Sequence, residues 1–79
     1  MTPLQEKITE LLVTRLGIDA KGIRPETTYT EMRMDSLALM EFTMIIQKEL
    51  DVLLGDDELQ GDSTVVGTAR LIEAKGARA

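Results

Sequence analysis

The residues from Asp35 to Leu50 constrain this chain more than any others. No Gly or Pro interrupts them, and Leu39, Phe42, Ile46 and Leu50 recur at helical spacing. On a wheel at about 100° per residue these four cluster within about 80°, the width of a core-facing stripe. Leu37, Met40 and Met44 fall roughly opposite, within about 60° of one another, with Glu41 and Lys48 beside them. A chain of 79 residues is too short to wrap one helix on every side. One stripe is therefore expected to be buried and the other to face solvent. An exposed apolar strip beside carboxylates suits a basic protein partner, and Met adapts to more than one shape. The plainer alternative is that flanking loops cover these side chains. Glu49, near the core edge, is expected to lay its stem on apolar surface with its head in water.

The rest of the chain also reads as helical. Thr2-Pro3-Leu4-Gln5 is a start signal, with Thr2 as cap, Pro at the first helical position and Gln5 able to close a capping box. Leu4, Ile8, Leu11, Leu12 and Leu16 then follow at helical spacing up to Gly17, a plausible stop, so a first helix is predicted over 3–16. Residues 17–34 form a long connection, broken by Pro25 and by Thr27-Thr28-Tyr29-Thr30, with Ile18, Ile23, Tyr29 and Met32 available to pin it to the core. Such a length implies either a short helical turn or a packed Ω-like loop. Gly55 with Asp56-Asp57-Glu58 opens a short acidic helix or turn ended by Gly61. Asp62-Ser63 is expected to cap a last helix over 64–74, and residues 76–79 are expected to fray. The fold class is all-α: one domain over 1–79, with three main helices, a short third one, and a long first loop packed across their ends.

Composition removes most chemistry. There is no His and no Cys, so disulfides, thiolate metal sites and His-activated nucleophiles are excluded. Tyr29 and Phe42 are the sole aromatics, too few for a base-stacking platform, and nine basic against fourteen acidic residues give −5, which repels phosphate backbones. No nucleic-acid partner is expected. No apolar run approaches the roughly 18 residues of a membrane span, and Met1-Thr2-Pro3-Leu4-Gln5-Glu6 does not read as a signal peptide, so a cytoplasmic, membrane-free protein is expected. The charge is uneven. Asp35, Glu41, Glu49, Asp51, Asp56, Asp57, Glu58 and Asp62 face only Lys48, leaving residues 35–62 at −7 and the remainder at +2. A Ca²⁺ loop from Asp56 fails because its twelfth position is Gly67 rather than Glu. No metal site and no catalytic carboxylate pair is expected.

Ser36 stands where helix two begins. A serine there is usually a cap, and Asp35 or Ser36 is equally able to serve as one. Ser36 has none of the usual activating contexts: no His, no Gly-x-Ser-x-Gly, and Leu39 where Ser-x-x-Lys needs Lys. It remains able to accept a modification delivered by another enzyme. A phosphodiester there would gain from the positive helix end and its free N–H groups.

Asp35-Ser36-Leu37 opening an acidic helix, in a chain of about 80 residues without Cys, resembles the acyl carrier proteins. The stretch Asp35-Ser36-Leu37-Ala38-Leu39-Met40-Glu41 looks most like the discrete carriers of bacterial aromatic (type II) polyketide synthases. The resemblance covers nearly the whole chain: helix one, the long loop with Tyr29 and Met32, Asp56-Asp57-Glu58 at a short third helix, and Val65 to Ile72 at the fourth. It implies that Ser36 receives 4′-phosphopantetheine from coenzyme A through a magnesium-dependent phosphopantetheinyl transferase. The arm's thiol then carries acyl groups as thioesters. Asp35 and Leu37 would contact the transferase. Leu37, Met40, Glu41 and Met44 would be read by ketosynthases, acyltransferases and tailoring enzymes with basic surfaces. The carrier would be a monomer and not itself an enzyme. The alternatives are a non-covalent helical interaction module using the same stripe, or a fatty-acid or aminoacyl carrier of the same fold.

Three departures from the family pattern stand out. Arg33, followed by Met34, occupies the place two residues before the Asp where the family usually has Gly. Ala38 stands where fatty-acid carriers often have an acid, and Gln47 and Lys48 where they tend to be acidic. The less acidic helix favours a dedicated secondary-metabolite system. Arg33 is a candidate contact for a partner or for the phosphate.

Overall fold

A computed structural model describes residues 1–76. Three α-helices form: α1 (Pro3–Leu16), α2 (Ser36–Leu50) and α3 (Val65–Ala74), with a 3-10 turn at Ala20–Gly22. Among the described residues there is no β-strand, only an isolated antiparallel bridge between Thr28 and Thr64. The expected fraying falls, for residues 77–79, outside the described chain.

α1 starts and stops as its sequence demands. The Thr2 hydroxyl oxygen accepts the Gln5 N–H at 3.2 Å, and Gly17 closes the helix at φ 70°, a conformation open to a residue without Cβ. Its inner face buries Leu4, Ile8, Leu11 and Leu12, and α1 packs against both α2 and α3.

The long connection is tolerated because it is part of the core. Ile23, Tyr29, Met32 and Met34 are all buried. Its backbone is tied to the stretch before α3: the Tyr29 N–H donates to Ser63 O at 3.0 Å, the Thr30 N–H to Gly61 O at 2.8 Å, and the Val66 N–H to Pro25 O at 3.1 Å. The close approach at Gly61 has no room for a side chain, since a Cβ there would collide with the Thr30 hydroxyl. Tyr29 meets Phe42 edge to face, centroids 5.4 Å apart at 78°. Its hydroxyl pairs with that of Thr68 on α3, so no buried side-chain polar atom lacks a partner among the described residues.

Two local expectations need correction. The short third helix does not form; residues 56–60 are a run of turns. The Glu58 N–H bonds back only three residues to Gly55 O at 3.2 Å, the Gln60 N–H is taken by the Ser63 hydroxyl at 3.0 Å, and the Glu58 carboxylate reaches back to the Gly55 N–H at 2.7 Å. The Ser63 hydroxyl has thus captured the Gln60 donor that a helical ladder would use. For the same reason Asp62-Ser63 does not cap α3. Ser63 is committed to Gln60, and Thr64 is the cap, accepting the Gly67 N–H at 3.0 Å.

Candidate functional site around Ser36

The approach to α2 is a tight turn. The Met34 N–H donates to Tyr29 O at 3.0 Å and the Arg33 N–H to Thr30 O at 2.9 Å, the crossed pair of bonds that ends a helical turn with its penultimate residue left-handed. That residue is Arg33, at φ 65°. The departure noted at this position thus has a backbone meaning: the fold needs a conformation that Gly adopts freely and Arg does not. Tyr29 and Met34, the two ends of the turn, are both buried and anchor it.

Asp35 resolves the ambiguity over the cap. Its carboxylate accepts the Ala38 N–H at 2.8 Å, and its carbonyl accepts the Leu39 N–H at 3.0 Å. Ser36 is therefore the first helical residue rather than the cap. Its side chain is exposed, and its hydroxyl makes no hydrogen bond among the described residues. The N–H groups of Ser36 and Leu37 likewise have no protein acceptor there. An anion carried on Ser36 Oγ would meet the positive end of a helix of 15 residues.

Leu37, Met40 and Met44 are each 62% exposed, and Glu41 beside them is exposed, whereas Phe42, Ile46 and Leu50 are buried. Loops do not cover the outer stripe. Leu39, placed on the core stripe by the wheel, is only half-buried. It borders a groove of about 700 Å³ that begins at Ser36 and runs between α2 and the 56–61 turns, past Thr43, Gln47, Leu59 and Gln60. Asp56 and Asp57 stand on its far bank. Glu58 turns away to Lys75 at 3.0 Å, and its carboxyl is held below the ordinary range by the Gly55 N–H and then by Lys75. Glu49 is not free in solvent as expected but pairs with Arg15 of α1 at 2.9 Å.

Asp35, Ser36, Leu37, Met40, Glu41 and Met44 are thus all exposed, with Leu37, Met40, Glu41 and Met44 sharing the outer stripe of α2. Sequence reasoning missed the groove, because Gln47 and Gln60 come together only when the 56–61 turns fold back on α2. It also missed Leu53, 84% exposed, which lies past the end of α2 where no helical wheel applies. Among the described residues no cluster of His, Cys, Asp or Glu is placed to hold a metal ion, and no helix is long and apolar enough to cross a membrane.

Comparison with known proteins bears on this face. A family model described as "Phosphopantetheine attachment site" matches residues 6–72. The acyl carrier protein of Nitratidesulfovibrio vulgaris is 33% identical over 58 residues, 72% of this chain and 76% of that protein. The acyl carrier protein of Clostridium acetobutylicum is 31% identical over 70 residues, 87% of this chain and 91% of that protein. No solved structure matches the chain.

Proposed function

Because the chain belongs to the acyl carrier protein family, we propose that Ser36 is its attachment residue and that it passes acyl groups between partner enzymes. Like its family it is a carrier and not a catalyst. Its prosthetic group is 4′-phosphopantetheine, held covalently. When bound, that group supplies the thiol on which acyl groups are held as thioesters.

The residues present fit such a group. Asp35 takes the capping duty and fixes the first turn, which leaves the Ser36 hydroxyl presented and unengaged. In loading, Ser36 Oγ attacks the phosphorus of coenzyme A that bears the pantetheine. The bond from that phosphorus to the nucleotide breaks, adenosine 3′,5′-bisphosphate leaves, and the hydroxyl proton passes to the transferase. The free N–H groups of Ser36 and Leu37 then face the new phosphodiester, a placement worth about 0.3–1 kcal/mol at an exposed helix end. The groove beside Ser36 offers an apolar lining along Leu39, Met40 and Leu59 for what is tethered.

Within that family, the structural observation that supports Ser36 as the attachment residue is that Asp35, not Ser36, caps α2, which leaves the Ser36 hydroxyl exposed and unengaged. Incubation with coenzyme A, magnesium and a broad-specificity phosphopantetheinyl transferase should add about 340 Da to the intact mass. Ser36→Ala should gain nothing. An unmodified wild type, or an equal gain in the variant, refutes the assignment.

The finer reading is a discrete carrier of an aromatic polyketide synthase, supported by the Asp35-to-Glu41 stretch and by Ala38, Gln47 and Lys48 in place of acids. Its partners are then the transferase together with ketosynthases, acyltransferases and tailoring enzymes. Bases on these enzymes meet Asp35 and Glu41 while their apolar side chains meet Leu37, Met40 and Met44. Residues 1–79 act as one monomeric cytoplasmic carrier domain.

A further inference from the structure

The face offered to partners does not keep one sign of charge. Leu37, Glu41, Met44 and Lys48 follow one another along α2 within about 60° of the wheel. At 1.5 Å per residue, Lys48 lies about 10 Å beyond Glu41 and about 18 Å beyond Ser36. At the Ser36 end the acids Asp35, Asp56 and Asp57 outnumber the one exposed base, Arg33, three residues before Ser36. At the far end a second, shallow groove is bordered by Met44, Ile45, Lys48, Leu53, Arg15 and Glu49. Lys48 is exposed and makes no ion pair among the described residues. Glu49, the one acid on this groove, is already engaged by Arg15 at 2.9 Å, and the Arg15 side chain remains 47% exposed. Leu53, 84% exposed, projects just past Asp51, whose φ of 51° turns the chain out of the helix.

We infer that this end of α2 is a second docking pole that receives an acidic residue flanked by apolar side chains on the partner protein. The inference rests on the partner-docking reading above and adds a direction to it. A uniformly basic surface would meet attraction at Asp35 and Glu41 but repulsion at Lys48. A surface with a base and an acid about 10 Å apart satisfies both ends and seats its apolar middle on Met40 and Met44. Reversed along the helix, the same surface would put like charges together at both ends. The two poles therefore orient the partner, so that its active-site entrance falls over Ser36 rather than over Leu53.

Two synthetic amphipathic helical peptides test this, sharing one leucine face and carrying either Glu or Lys along its edges. Each is titrated into isotope-labelled protein while amide resonances are followed. The Glu peptide should shift Ile45, Lys48 and Leu53, and the Lys peptide Leu37, Glu41 and Asp56. Lys48→Glu should weaken the Glu peptide about tenfold and strengthen the Lys peptide, with Lys48→Ala in between for both. The inference is overturned if both peptides shift the same residues, or if Lys48→Glu leaves Glu-peptide binding intact. It is likewise overturned if Leu53 shifts with protein concentration alone, which would make a second copy its occupant. Loading of the same variants with coenzyme A and transferase separates the two claims. Lys48→Glu that gains the arm's mass yet binds the Glu peptide as wild type does removes the pole and leaves Ser36 standing. Absence of any mass gain in wild type removes Ser36's role whatever the peptides do.

Discussion

Arg33→Gly should make this protein more stable. Arg33 holds φ at 65° as the left-handed residue of the turn that delivers the chain to Asp35. A side chain with a Cβ in that conformation costs about 1–2 kcal/mol. Glycine escapes the clash but gives the unfolded chain more freedom, which returns about 0.5–1 kcal/mol of the gain. Arg33 is exposed and forms no ion pair among the described residues, so little else is lost. The net stabilisation is about 0.5–1 kcal/mol. For a chain of this length 1 kcal/mol moves Tm by about 4–8 °C, so a rise of about 2–8 °C is expected in thermal unfolding followed by circular dichroism. Arg33→Ala is the deciding control, because it removes the charge and keeps the Cβ. It should leave Tm near wild type, and Arg33→Val, branched at Cβ, should lower it. An equal rise for Ala and Gly would mean that the side chain, not the dihedral, carries the cost. A fall for Gly would refute the strain argument outright.

Two further outcomes follow from the packing. Phe42→Ala removes a side chain with no exposed surface that also supports Tyr29 edge to face, and should cost about 3–5 kcal/mol by denaturant titration. Met44→Glu, on the opposite side of the same helix and 62% exposed, should stay within about 0.5 kcal/mol of wild type yet slow acyl transfer with a partner synthase. Loss of fold there would mean that Met44 is core. Burial pushes the Tyr29 hydroxyl well above its ordinary value of 10.0, against the weaker opposing pull of Thr68. The folded state therefore keeps its proton while the unfolded chain releases it. Stability from this group is whole below pH 10 and falls as pH rises past it, by up to about 1.4 kcal/mol per pH unit. Tyr29→Phe should flatten that alkaline loss relative to wild type in pH-dependent unfolding.

Much of the candidate surface was legible in the sequence. The wheel separated Phe42 and Ile46 from Leu37, Met40 and Met44, and burial divides them the same way, because helical period alone decides which side chains share a face. Ser36 stood out because it follows Asp35 at a helix start. Which of the two caps was not legible, since both residues accept equally well and the backbone geometry selects. The resemblance marked Arg33 as unusual, and the turn explains why. The short third helix was misread because acidic residues after Gly suit either a helix or a turn. The Ser63 hydroxyl, by accepting the Gln60 N–H, tips the balance toward the turn.

Local order therefore set the three helices, their ends at Thr2 and Gly17, and the two-faced character of α2, since each depends on contacts within a few residues. The groove beside Ser36, the pairing of Glu49 with Arg15, and the tie between residues 25–30 and 61–66 join parts of the chain far apart in sequence. No local rule specifies such meetings. They follow once α1, α2 and α3 have buried their apolar faces together and the long loop has closed over Phe42 with Tyr29.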